Sequence, residues 1–379
     1  MRVKYDNRNS VMTALSSRHE RFLTPPRVAT PGPTLDRAIR DRDEAMNATL
    51  VDATVTFTRR LKPRLIETRG GPVECAVTGE GPAILAVHGG IGGYDQGLRV
   101  SAAALGAARH TVVAVSRPGY LGTPLTAGAT PASQADLFAD VLDQLGIADA
   151  TVLAISAGGL SSLEFALRHP SRCRGLILVS ACTGRLYVGL KPPIGILRLM
   201  ARRWPGLVAT LLRRLARDPE RLAGWLISDP VARAAIRDDA ESRALLIELQ
   251  RDILARFAPR MRGTEHDLRL FADIAELPLE QVAAPVLAFH GSADEVVPFA
   301  HAERLAARLP AAQVVPIAGG EHVCLFTHRE MIRARVRQFL SEQASVAAPP
   351  RRLRPELHQR LEPHQRPEPH QRPAQRISS

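Results

Sequence analysis

The amino-acid sequence predicts an α/β fold: a mostly parallel, twisted sheet with helices on both faces and a helical cap inserted late in the chain. Three observations carry this expectation. Short, almost wholly apolar runs alternate with helix-like stretches, as strands buried on both faces do. The alternation stops between residues 186 and 280, where helix-like segments rich in Leu, Ala and Arg follow one another. It then resumes for two strand–helix pairs before the chain becomes low in complexity.

Taken in order, residues 1–48 mix charge, Ser and four prolines (Pro25, Pro26, Pro31, Pro33) without sustained periodicity. They read as a loosely ordered arm with a short helix over 34–46. The core begins in residues 49–185. Its opening, RLIETRGGPVECAVTGEGPAILAVHGG, reads as a hairpin feeding a buried strand, because Gly-Gly and Gly-Glu-Gly-Pro punctuate the apolar runs. Then come strand HTVVAVS, a helix over 131–145, strand TVLAIS, a helix over 158–168 and strand GLILVSA. Residues 186–280 form the expected cap, and 281–345 complete the core with APVLAFHG, a helix over 299–309, QVVPI and a last helix over 327–343. Residues 346–379 carry a hexapeptide repeat that returns His358, His364 and His370 at one phase. Its prolines predict an extended, disordered tail with no catalytic role.

The chain holds 50 basic and 38 acidic side chains, a net charge of +12. Residues 1–70 contribute 14 basic and 8 acidic (+6), and residues 347–379 contribute 7 and 3 (+4), which leaves the body at +2. The excess therefore sits at the two ends and does not form a basic groove on a folded core, so no nucleic-acid partner is expected. The four cysteines, Cys75, Cys173, Cys182 and Cys324, form no CxxC pair. Neither a metal site nor a disulfide framework is expected, and reduced thiols suggest a cytoplasmic location. No apolar h-region or membrane-spanning run is visible.

The strongest chemical signal is TVLAISAGGLSSLEFALRHP, in which an apolar strand runs into Ser156 and then into a helix. Ala154, Ala157, Gly158 and Gly159 are small enough to let strand and helix approach closely, so the hydroxyl would project above the sheet. A plain N-cap serine is the competing reading of that residue taken alone. Three further strand ends supply context. AILAVHGGIGG ends in His88-Gly89-Gly90, a turn able to aim a backbone N–H at an oxyanion; APVLAFHGSADEVVP places Asp294 in the loop after a strand; QVVPIAGGEHVCLF places His322 after another. Parallel sheets put their sites at such carboxyl ends.

With HGG, SRPGYLGTP, SAGG, GSADEVVP and GGEH in this order and spacing, residues 71–343 resemble the α/β-hydrolase fold family, in its capped, serine-nucleophile, esterase- and lipase-like form. The resemblance implies Ser156 as nucleophile, His322 as general base and Asp294 as the group orienting the imidazole. Backbone N–H groups of Gly90 and Ala157 would form the oxyanion hole, with no cofactor and no metal. Ala154 departs from the usual G-x-S-x-G elbow. A serine disfavours the chemistry of relatives with an aspartate nucleophile, such as haloalkane dehalogenases and epoxide hydrolases, and implies an acyl-enzyme.

The activity this suggests is hydrolysis of a small-to-medium apolar carboxylic ester by a serine esterase. Alternatives are carbon–carbon bond hydrolysis of a vinylogous diketone, a cofactor-free haloperoxidase-like activity and, outside catalysis, a ligand-binding receptor on the same fold. Other polar residues read as structural: His88 and His290 as hydrogen-bonders at strand ends, Arg117 and Tyr120 as parts of a turn, and His266 and Asp267, near Arg262, as a polar pair tying cap to core. Cys324 reads as packing. The stretch PPIGILRLMARRWPGLVATLLRRLARDPERLAGWLI interleaves apolar residues with arginines. Contact with a membrane surface is one reading of it; the preferred one buries the apolar face on the core and leaves the arginines solvated.

Overall fold

The structure, a computed structural model, describes residues 61–187, 203–215 and 227–346, together with 196, 199, 200 and 224. The expected arm with its short helix, and the repeat tail, lie outside the described residues. Strands β1 (Arg64–Thr68) and β2 (Gly71–Thr78) form the expected hairpin, with Arg64 opposite Cys75. They are followed by β3 (Ala83–Val87), β4 (Thr111–Val115), β5 (Ala150–Ile155), β6 (Cys173–Val179), β7 (Val286–Gly291) and β8 (Gln313–Ile317). The eight strands of the described residues make one sheet in the order β1-β2-β4-β3-β5-β6-β7-β8. Pairing is antiparallel from β1 through β2 to β4 and parallel across the six strands from β4 to β8 in that order.

Side chains alternate along the strands, so each strand feeds two cores. Leu85, Val87, Val152, Ala154, Leu176 and Leu178 pack into one of them. That face is covered by α2 (Pro131–Gln144), α3 (Gly159–Arg168) and α8 (Ala300–Arg308), through residues such as Phe138, Phe165 and Leu305. Ile84, Ala86, Leu153, Ile155, Ile177 and Val179 pack into the other, under α1 (Tyr94–Leu105) and α9 (Arg329–Val346). A strand buried on both sides needs no polar alternation, which is why these runs read as continuously apolar.

Helix starts follow local chemistry. At α2, the Thr130 hydroxyl accepts from the Ser133 N–H, the Ser133 hydroxyl accepts in return from the Thr130 N–H, and Pro131 supplies a preset φ. Helix α1 has no counterpart in the sequence-based expectation. Eleven of its twelve residues are buried, so its polar side chains Asp95, Gln96, Arg99 and Ser101 meet protein instead of solvent, and it follows a glycine run that reads as loop. A Cβ at its Gly97 would lie 3.3 Å from the Ala86 carbonyl oxygen, so the helix sits directly on β3.

Between β6 and β7 lie helices α4 (Pro205–Leu215), α5 (Pro230–Asp238), α6 (Ala240–Ala255) and α7 (Ala258–Ala272), where a helical insertion was expected. Asp229 and Asp239 cap α5 and α6 through their carboxylates. These helices are fastened to the α1 side by buried charge. Asp95 on α1 accepts two hydrogen bonds from the fully buried Arg260 guanidinium of α7, at 2.9 and 2.6 Å, and one from Arg256 at 2.5 Å. Arg99, one turn on, reaches Asp252 of α6 at 3.1 Å.

Burial alone would raise the Asp95 carboxyl, but Arg260 and Arg256 outweigh it and hold the group at about 2, against an ordinary 3.8. A depressed carboxylate stabilises the folded state above its unfolded pKa and loses that contribution as pH falls, here about 2 kcal/mol between roughly pH 4 and pH 2. Asp95→Ala strands a buried guanidinium and is expected to lower the unfolding free energy by about 3–5 kcal/mol at neutral pH. Urea unfolding measures it: the gap between parent and variant should narrow as pH drops from 4 to 2. A gap that is small at neutral pH would show that Arg260 finds another acceptor.

Candidate active site

In chain order the sheet grows from β3 to β4 on one side and then resumes at β5 on the other, so the order reverses between β3 and β5. Crevices open outside the carboxyl ends of the strands at such a reversal. Two elements of interest face each other there: the turn after β3, and Ser156 directly after β5.

Ser156 begins a short 3-10 turn, Ser156–Gly158, that leads into α3. Its φ is +54°, in the left-handed region that a non-glycine residue enters at a cost of about 1–3 kcal/mol. The surroundings enforce it. The Ser156 carbonyl accepts from the Cys182 N–H at 2.9 Å, and the backbones around it leave no room for side chains. A Cβ at Gly158 would lie 2.7 Å from the His88 carbonyl oxygen, and one at Gly89 would lie 2.8 Å from the Ser156 Cβ. At Gly159 it would collide with the Cys182 carbonyl. Ala154, the departure from the usual glycine, is fully buried in the core without such a conflict.

The Ser156 hydroxyl donates to His322 Nε2 at 3.0 Å, and His322 Nδ1–H donates to Asp294 Oδ2 at 2.8 Å. All three side chains predicted from the sequence are thus brought together. Asp294 is buried, and its other oxygen accepts the N–H groups of Val296 and Val297, each at 2.9 Å. Burial would raise its pKa, but the hydrogen bond and charge of His322, with those two N–H groups, hold it below the ordinary carboxylate value. Asp294 therefore stays ionised and fixes the proton of His322 on Nδ1, leaving Nε2 as an acceptor.

Around the β3 turn, the Gly89 N–H donates to Gln96 Oε1 at 2.6 Å and the Ile91 N–H to Thr264 Oγ1 at 3.0 Å. The Gly90 N–H between them has no protein acceptor among the described residues, and Ala157 sits in the first turn of a helical segment, whose N–H groups have no intrahelical partner. Of the two expected oxyanion donors, Gly90 thus lies in the turn after β3 and Ala157 directly follows Ser156.

The turn is locked from beneath. The Arg117 N–H donates to His88 Nε2 at 2.8 Å, so the His88 proton is on Nδ1, which donates to the Gly89 carbonyl at 2.7 Å. Burial, then the charge of Arg117, keep this imidazole well below its ordinary pKa, hence neutral. The buried Arg117 guanidinium donates to the His88 and Gly89 carbonyls at 2.9 and 3.2 Å and pairs with Asp267 of α7 at 2.6 and 3.2 Å. The Tyr120 hydroxyl donates to the same carboxylate at 2.6 Å. Asp267 thus ties insertion to sheet, while His266 donates to the Ala129 carbonyl at 2.5 Å and Arg262 is exposed. His290 donates to the Val297 carbonyl at 2.8 Å, and Cys324 is fully buried.

Sequence reasoning missed Gln96 and Thr264, which position the β3 turn, and Glu321. The Glu321 carboxylate accepts the N–H groups of Ser228 at 2.9 and 2.8 Å and of Asp229 at 2.7 Å. Only adjacency to His322 could have drawn attention to it.

The family model described as alpha/beta hydrolase fold matches residues 82–329. A pimeloyl-[acyl-carrier protein] methyl ester esterase of Aeromonas salmonicida is 27% identical over 69% of this chain and 96% of its own. A 2-hydroxymuconate semialdehyde hydrolase of Pseudomonas putida is 29% identical over 59% of this chain and 74% of its own. Among solved structures, an alpha/beta hydrolase fold protein from Nakamurella multipartita is 32% identical, covering 74% of this chain and 98% of that one, with a TM-score of 0.66.

The elbow geometry yields one expectation. In Gly158→Ala the new methyl meets two backbone carbonyls, so Ser156 and the β3 turn must part by some tenths of an ångström. Covalent labelling of Ser156 by a fluorophosphonate should slow by about 10- to 100-fold while circular dichroism still reports a folded chain. Parental labelling kinetics would show that the elbow has slack.

Proposed function

The chain belongs to the α/β-hydrolase fold family and is a hydrolase, and from that premise we propose that it cleaves a small-to-medium apolar carboxylic ester through a seryl acyl-enzyme. The observation that carries this reading is the unbroken relay from Ser156 through His322 to Asp294, at 3.0 and 2.8 Å, on an elbow with positive φ.

In this reading Ser156 Oγ attacks the ester carbonyl carbon while His322 Nε2 takes its proton. Asp294 stabilises the imidazolium without itself being protonated. The oxyanion of the tetrahedral intermediate accepts from the Gly90 and Ala157 N–H groups, which are aimed before substrate arrives and need no reorganisation. The intermediate collapses, and His322 returns the proton to the leaving alkoxide. Water, deprotonated by the same imidazole, then attacks the acyl carbon and Ser156 leaves with the proton. The helices α4 to α7 are read as a cap, spanning 186–280, whose inner side and the sheet edge enclose an apolar pocket for the acyl group.

A second reading, hydrolysis of a carbon–carbon bond next to a carbonyl, is favoured by similarity to the semialdehyde hydrolase and needs the same triad. A substrate panel separates the two, because the bond cleaved depends on how the pocket holds the substrate.

Ser156→Ala should lower kcat on a p-nitrophenyl acyl ester at least about 10³-fold and abolish fluorophosphonate labelling. Asp294→Asn should leave the chain folded and reduce kcat by a comparable order, because the wrong His322 tautomer becomes favoured. If folded parent protein neither turns over esters nor is labelled, and vinylogous diketones are cleaved, the carbon–carbon reading replaces the first.

A further inference from the structure

We propose that the outer face of the segment around α4 is a docking surface for an anionic lipid bilayer. The sequence-based preference, an apolar face turned inward with solvated arginines, holds there only in part. Val208 is buried against Phe257 and Met261. The large apolar side chains beside it are nonetheless exposed. Of the ten large hydrophobic side chains exposed among the described residues, six (Tyr187, Ile196, Leu199, Trp204, Leu207 and Leu211) fall within residues 187–211. Leu199 is 71% exposed, Trp204 53%, Leu207 59% and Leu211 44%.

Trp204, Leu207 and Leu211 recur at the i, i+3, i+7 spacing of one helix face, so they form a continuous apolar stripe. Single exposed apolar residues are ordinary, but a contiguous strip ending in an indole is a recognition surface. Its charge selects the partner. Residues 191–217 contain seven basic side chains and no acidic one. Arg203 lies over the Trp204 ring at 5.7 Å, and both Arg203 and Arg214 are exposed.

A helix with Trp and Leu on one face and arginine at its flanks fits a surface that is apolar within and anionic at its rim, which is an anionic bilayer interface. Two copies of this segment meeting face to face would instead oppose like charges. The net charge of +12 over the whole chain adds attraction at longer range. No described helix is long and apolar enough to cross a membrane, so the segment would lie in the interface plane. The proposal stands apart from the reaction assigned to Ser156.

Full-length protein is tested by flotation with vesicles of phosphatidylcholine alone and of phosphatidylcholine with phosphatidylglycerol. The parent should float with the anionic vesicles only, less so as salt rises. In a Trp225→Phe background, Trp204 emission should shift to the blue on binding. The double variant Leu207→Ser, Leu211→Ser should unfold at the parental temperature, because both side chains are exposed, and partition at least about tenfold less. Absence of parental flotation overturns the proposal. So does parental flotation of the double variant, which would assign binding to the basic ends. A concentration-dependent dimer lost in the double variant, without vesicle binding, would overturn it in favour of a second copy.

Discussion

The site depends on one backbone angle. Ser156 is held at a φ of +54°, and the free energy this costs is supplied by close contacts among three backbones: the end of β5, the turn after β3 and the segment after β6. Those contacts exist because β3, β5 and β6 are neighbours in the sheet and because glycine stands at 89, 158 and 159. The serine hydroxyl, the β3 turn and the first N–H groups of the following turn converge for that reason. Asp294 and His322 are then delivered by the next two parallel strands, whose ends lie along the same sheet edge.

Buried charge does the second organising task. Arg117 with Asp267, and Arg260 with Asp95, link the inserted helices to the turn after β3 and to α1. Such pairs lose hydration on burial and are not strong net stabilisers. They do penalise any arrangement in which one partner is missing, because an unpaired guanidinium at that depth has no substitute for water. Here the penalty falls on misplacing the insertion relative to the turn after β3, since Arg117 also holds the His88 and Gly89 carbonyls.

Much of this is legible in the sequence because it is local. Every strand expected in the core is present, with ends shifted by one or two residues, since short apolar runs between glycine-rich turns have few other uses. Ser156, Asp294 and His322 can be read because each follows such a run at once. Helix α1 cannot, because it opens directly out of a glycine run and its polar side chains are buried against other elements. Gln96 and Thr264 cannot either: one lies on that unread helix, and the other meets Ile91 across 173 residues of chain. The pairing of Asp267 with Arg117 was expected only as a tie between cap and core; the partner, 150 residues away, follows from the fold. For α4 the composition shows apolar residues among arginines, but which face is turned inward is decided by where Phe257 and Met261 sit.

Glu321 sets a condition on how this architecture can be varied. Its carboxylate holds the N–H groups of Ser228 and Asp229, where the chain enters α5, while its own backbone leads into His322. The junction of the inserted helices and the imidazole loop are therefore one mechanical unit. An insertion borrowed from another protein would have to present two backbone donors at that point. Without them, the exchange would free the loop carrying His322 even if the new helices folded perfectly and left Ser156 untouched.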